Sequence, residues 1–197
     1  GFLGIQKFLH DGNRWTHNDL MYSDWLFESD HIAGIVVWNK SVFVATDQGL
    51  YRGDLHKDPH SWSEELAGNI SSIRLYQDEL LIIVDNVPYK IDLNTMEVSP
   101  IQSSSSLDEF VKTVNDELWG IRSDRKALVH LESNLEIPVS HTLNVLIPLI
   151  DGSLAGGTEA GIVLLNSETQ EVQQFIPNAP LTNQFSAVTV LDDGRVV

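Results

Sequence analysis

The chain has 197 residues, 42% of them hydrophobic, which is ample for a packed core, and it carries 28 Asp plus Glu against 12 Lys plus Arg, a formal charge of −16. Such acidity repels phosphate backbones and anionic bilayers, which disfavours DNA, RNA and acidic membranes as partners. There is no cysteine for a disulfide or thiol catalysis, and no apolar run approaches the ~20 residues of a membrane span.

In chain order, Gly1-Phe2-Leu3 with the following Trp15 reads as the second half of a four-stranded unit, within residues 1–20. The first complete unit, 31–66, begins with Ile35-Val36-Val37-Trp38, turns at Asn39-Lys40-Ser41 and continues as Val42-Phe43-Val44-Ala45. Both runs are nearly continuous in β-branched or aromatic residues, the mark of strands buried on two faces. Thr46-Asp47-Gln48-Gly49 breaks the run before a third strand at Leu50-Tyr51-Arg52, and a polar outer strand falls near Trp62 to Leu66. The scheme returns in 68–101, with Leu80 to Val84 as its central strand, in 107–140 around Leu118 to Ile121, and in 143–176 around Ser153-Leu154-Ala155. Ser103 to Ser106 reads as a flexible connector between units. A final half unit, 181–197, ends with Arg195-Val196-Val197.

Second strands thus open at Val42, Leu80, Leu118, Leu154 and Val196, at intervals of 36 to 42 residues. A strand-only repeat of about 40 residues is the size of one propeller blade. The predicted fold is all-β: a single β-propeller segment of four-stranded antiparallel blades, about five blade-equivalents in all. Because the pattern starts and stops in mid-blade, either the two halves complete one another in a five-bladed ring or the segment belongs to a larger ring. The stop at Val197, where the pattern calls for more chain, favours the larger ring.

The segment Leu181 to Val197, LTNQFSAVTVLDDGRVV, resembles the two-component-regulator propeller repeat, with its pattern L-P-x-N-x-V-x-x-I-x-x-D-x-x-G-x-L-W-I-G-T-x-x-G-L. Leu118-Trp119 is similar to the L-W segment, and Thr46-Asp47-Gln48-Gly49-Leu50 and Thr158-Glu159-Ala160-Gly161-Ile162 to the T-x-x-G-L end. Val84 to Pro88 lacks the Thr and Gly, and Arg122-Ser123-Asp124 replaces them in the third unit. The resemblance implies a bacterial propeller exported to the periplasm or cell surface, as in hybrid sensor kinases that detect glycans and in a surface component of type IX secretion, with signalling or anchoring modules outside these residues.

Function in a propeller resides in its loops and central channel. The turns between second and third strands would gather Asp47, Gln48, Asp85, Asn86, Arg122, Asp124 and Glu159 on one face, able to hydrogen-bond a polar ligand such as an oligosaccharide, or a protein partner. The same residue types are ordinary turn formers, and spacing alone leaves both roles open. Trp38 and Trp119 sit in strands and are expected in the core, while Trp25, among Asp24 and Glu28, is the better candidate for an exposed stacking surface.

His56 and His60 have an i, i+4 spacing, but Asp58 and Pro59 between them indicate a loop, with no third ligand in view, so neither a metal nor a cofactor is expected. No histidine accompanies a Ser or Cys nucleophile motif, and no catalytic residue is assigned. Gly49 to Trp62 and Asp11-Gly12-Asn13-Arg14-Trp15 look like degenerate Asp-box turns of sialidase-type glycoside hydrolases, with the Asp-to-Trp interval one residue short. The expectation is a non-catalytic recognition module; a glycoside-hydrolase propeller and a structural interaction platform are the alternatives.

Overall fold

The computed structural model describes residues 6–10, 15–20, 31–54 and 62–176; Trp25, His56, His60 and the segment 181–197 lie outside them. A two-stranded antiparallel sheet of β1 (Gln6–His10) and β2 (Trp15–Leu20) comes first. Four sheets of four strands follow, each in simple meander order. Blade one is β3 (Ile32–Trp38), β4 (Ser41–Thr46), β5 (Gly49–Asp54) and β6 (Ser63–Ala67). Blade two is β7 (Ile70–Tyr76), β8 (Glu79–Val84), β9 (Val87–Asp92) and β10 (Val98–Pro100). Blade three is β11 (Leu107–Lys112), β12 (Leu118–Arg122), β13 (Ala127–His130) and β14 (Leu135–Pro138). Blade four is β15 (Leu143–Pro148), β16 (Leu154–Thr158), β17 (Ile162–Leu165) and β18 (Val172–Phe175). Every pairing is antiparallel, as expected for a propeller of hairpin-connected blades.

The central strands show how the sequence builds the stack. Leu80, Leu81, Ile82, Ile83 and Val84 are all buried, and their alternating side chains serve two interfaces. Leu80, Ile82 and Val84 join Phe43, Ala45 and Leu50 of blade one in one core cluster. Leu81 and Ile83 face the other way, onto Leu107, Phe110, Val129 and Leu131 of blade three. Between blades three and four, Val111, Trp119, Ile121 and Leu128 meet Leu143, Leu146, Leu154 and Val163. The hydrophobic cores therefore lie between blades, and a strand within the stack needs apolar residues at successive positions. Trp119 is 2% exposed, a core residue as its strand position predicts, whereas Trp38 is half-buried and its Nε1 donates to Asp78 Oδ1 at 3.0 Å, tying blade one to blade two.

First strands of successive blades approach one another, β3 to β7, β7 to β11 and β11 to β15, and so line the inside of the stack. At Gly34 of β3 a Cβ would sit 2.6 Å from the Ile73 side chain, so the closeness of β3 and β7 requires glycine there. The serine-rich connector before β11 runs along the outer strand β14 and is anchored to it. Ser104 N donates to Asn134 Oδ1 at 3.1 Å and Ser105 Oγ to Glu136 Oε1 at 2.5 Å. Hydroxyls and amides that composition alone assigns to a flexible tether thus find acceptors on the neighbouring strand.

Candidate ligand site at the axis

Each first strand enters its sheet beside the turn that follows the second strand, with Ile32 opposite Thr46, Ile70 opposite Val84, Leu107 opposite Arg122 and Leu143 opposite Thr158. The turns between second and third strands therefore share one end of the stack with the beginnings of the first strands. The turn before β5 is built on Thr46, whose Oγ1 donates to Gly49 O and accepts from the amides of Gln48 and Gly49, all at 3.1 Å. Thr158 repeats the arrangement, with Oγ1 donating to Gly161 O at 2.9 Å and accepting from Ala160 N at 3.1 Å and Gly161 N at 3.0 Å.

The residues that sequence places on this face are found as follows. Asp47 and Gln48 form the first turn; Gln48 is exposed and its carbonyl accepts from Gly68 N at 3.0 Å, while Asp47 Oδ1 is buried with no hydrogen-bond partner among the described residues. Asp85 and Asn86 make a two-residue hairpin with φ of 49° and 66°, and Asp85 Oδ1 accepts from Asn69 N at 3.3 Å. Arg122 grips Asp124 through two bonds of 2.9 and 2.7 Å and reaches Glu136 at 2.5 Å, and the same fork holds the Asp124 carboxyl below its ordinary range. Glu159 Oε1 accepts from Thr142 N at 3.5 Å. These residues lie in or next to the turns at this end of the stack, Arg122 reaching the outer strand β14, and Trp25 lies outside the described residues.

Along the heads of the first strands is a cavity of about 360 Å³, with none of those turn side chains in its lining; its size is within the range of small-molecule sites. Its polar lining comes from Ser71, Ser72 and Arg74 of β7, Asp108 and Glu109 of β11, and Arg125 of the β12–β13 turn. A repeated backbone device puts polar groups there. All four first strands shift register at the same place, between Ile32 and Gly34, Ile70 and Ser72, Leu107 and Glu109, and Leu143 and Val145. A bulge inserts one unpaired residue and re-aims its side chain, and Ala33, Ser71 and Asp108, the extra residues of the first three blades, all line the cavity.

Charge in the cavity is balanced and paired, across blades two and three by one ion pair and within blade three by the other. Arg74 Nη2 meets Glu109 Oε1 at 2.5 Å, and Arg125 Nη2 meets Asp108 Oδ2. The Glu109 side chain is only 13% exposed. Burial raises its pKa above the ordinary glutamate value, and the neighbouring Arg74 opposes that rise. Arg74→Ala is therefore expected to push the Glu109 carboxyl still higher, read from its carboxyl-carbon NMR titration; a downward move would mean that Arg74 does not stabilise the carboxylate. Among the described residues, no group of three or more His, Asp or Glu is arranged to hold a metal ion.

Loop-based reasoning from sequence does not reach Ser71, Arg74, Asp108, Glu109 or Arg125. The available signal is a break in alternation: buried Ile70 and Ile73, Leu107 and Phe110, Leu143 and Leu146 stand three apart at the head of each strand, the spacing that a bulge creates.

No protein-family model matches the chain, and no curated protein matches it. Solved structures similar in fold include the WD40 β-propeller domain of Doa1, 13% identical with a TM-score of 0.74 over 98% of this chain and 68% of that one. YCF48 bound to D1 peptide is 15% identical with a TM-score of 0.67, over 94% of this chain and 65% of that one. The extracellular domain of a B. thetaiotaomicron protein described as a hybrid two-component system is 15% identical with a TM-score of 0.55, over 84% of this chain but 25% of that one. The chain thus spans from a quarter to about two thirds of these proteins. What they have in common with it is the fold, and the fold of this chain is a β-propeller of four-stranded antiparallel blades.

Proposed function

We propose that the chain is a non-catalytic recognition module of an exported bacterial sensor or secretion-associated protein, of the two-component-regulator propeller type, acting in the periplasm or at the cell surface. Its ligand is a polar molecule seated at the end of the stack where Asp47, Gln48, Asp85, Asn86, Arg122, Asp124 and Glu159 form the rim and the axial cavity forms the floor. The observation that carries this reading is the repeated bulge, which delivers Ser71 and Asp108 from successive blades to one cavity. The fold likeness to an extracellular domain of a two-component system protein supports the setting, and the peptide-bound propeller supports recognition as a use of the fold.

Screening the immobilised chain against glycans and peptides tests the reading. A ligand so found is expected to lose binding in Ser71→Trp, which fills the cavity, and to bind unchanged in Ile150→Ala, at the opposite end of the stack, where Ile150 is 83% exposed. A ligand indifferent to Ser71→Trp would refute the axial site, and turnover of a glycoside would refute the non-catalytic role.

A further inference from the structure

A second cavity borders the axial one. It lies beside Arg74, has a volume of about 210 Å³ and is lined mainly by Leu75, Tyr76, Val111, Leu146, Ile147 and Pro148, with Lys112 also in its lining. Arg74 borders both, and Leu75 is 40% exposed. A compartment with charges of both signs thus adjoins a mainly apolar one.

Resting on the axial face as the recognition site, we propose that its ligand is a zwitterionic, apolar α-amino acid or short peptide with free amino and carboxyl groups. Each guanidinium in the polar compartment meets its carboxylate through Nη2. An arginine has five N–H donors, so the fork can still take a ligand carboxylate, while the second oxygen of Asp108 can accept from a ligand ammonium. The overall charge of −16 opposes a purely anionic ligand, and a zwitterion avoids that repulsion. The apolar compartment then receives an aliphatic side chain, which gains by leaving water. An oligosaccharide fits these features less well. None of the residues lining the polar compartment is aromatic, and over the Tyr76 ring next door Lys112 Nζ already sits 5.0 Å from the centroid.

The test is calorimetric titration of the full chain with L-leucyl-L-leucine, its N-acetyl and C-amide forms, glycylglycine and maltotriose, with backbone amide NMR to locate each contact. The expected result is saturable binding of leucyl-leucine that shifts the Ser71, Ser72, Glu109 and Leu75 signals. Blocking either terminus, replacing leucine by glycine, or the variant Arg74→Ala is each expected to weaken it at least about tenfold. Maltotriose moving the axial signals while leucyl-leucine leaves them unmoved would overturn the ligand class and leave the axial site standing. Leucyl-leucine binding that ignores blocked termini, or that maps elsewhere, would overturn the inference, as would silence of the axial signals to every compound.

Discussion

Replacing Trp119 with alanine is expected to lower the unfolding free energy by about 3–5 kcal/mol, the usual cost of truncating a buried Trp. Its ring lies between blades three and four, in the cluster that includes Leu143, Leu146, Leu154 and Val163, and stacks at a tilt of 50° with 4.8 Å between ring centroids against His130. Neighbouring blades cannot close on the space left, because each is held in register by its own ladder, so the cavity term adds to the lost transfer energy. Urea unfolding followed by fluorescence and circular dichroism gives the number. Amide exchange supplies a second readout: stacked repeats exchange stability mainly with their nearest neighbours, so β12 and β15 are expected to lose protection before β4 and β8 do. A loss under about 1.5 kcal/mol, or uniform loss of protection, would show that the blade interface does not depend on this side chain.

The scaffold was legible in sequence because its determinants are local. A run such as Leu80 to Val84 is apolar at every position only if both faces are covered, and that requirement is met by cores on either side of β8. The Thr-x-x-Gly turns were legible for the same reason, since the hydroxyl and the amides it receives are at most three residues apart. The cavity was not. Arg74 and Glu109 are 35 residues apart and meet only because β7 and β11 are neighbours at the axis, which no local pattern encodes. The bulges left a trace in the three-residue spacing of Ile70 and Ile73, but a strand read by alternation absorbs such a break as noise. Arg122 and Asp124 show the converse. Their residue types suggested ligand contact, and the structure shows them bonded to each other and to Glu136 on β14, so any ligand role at the rim must share donors with that network.

Thr158→Val is expected to cost about 1–3 kcal/mol although it changes shape little, because the loss falls on turn amides, Gly161's buried and Ala160's partly so. The Thr158 hydroxyl is the acceptor for Ala160 N and Gly161 N, and Thr158 is 0% exposed. Removing it leaves the buried Gly161 donor unmatched, at about 1–3 kcal/mol. Blade two provides an internal control. Val84 occupies the equivalent place at the end of β8 and is buried, yet the sheet is intact there, because Asp85 and Asn86 take positive φ and close the hairpin in two residues, pairing Val84 with Val87. Valine is therefore acceptable where both turn residues take positive φ; Glu159 and Ala160, in a turn of the same length, do not. The blade-four turn is also seated closely against β18, where a Cβ on Gly161 would lie 2.1 Å from Phe175 O. Thr158→Ser keeps the oxygen and is expected to cost less than about 1 kcal/mol, so the pair separates the hydroxyl from the methyl group. Equal losses in the serine and valine variants, measured by urea unfolding, would mean that packing of the methyl group, not the three hydrogen bonds, holds the turn.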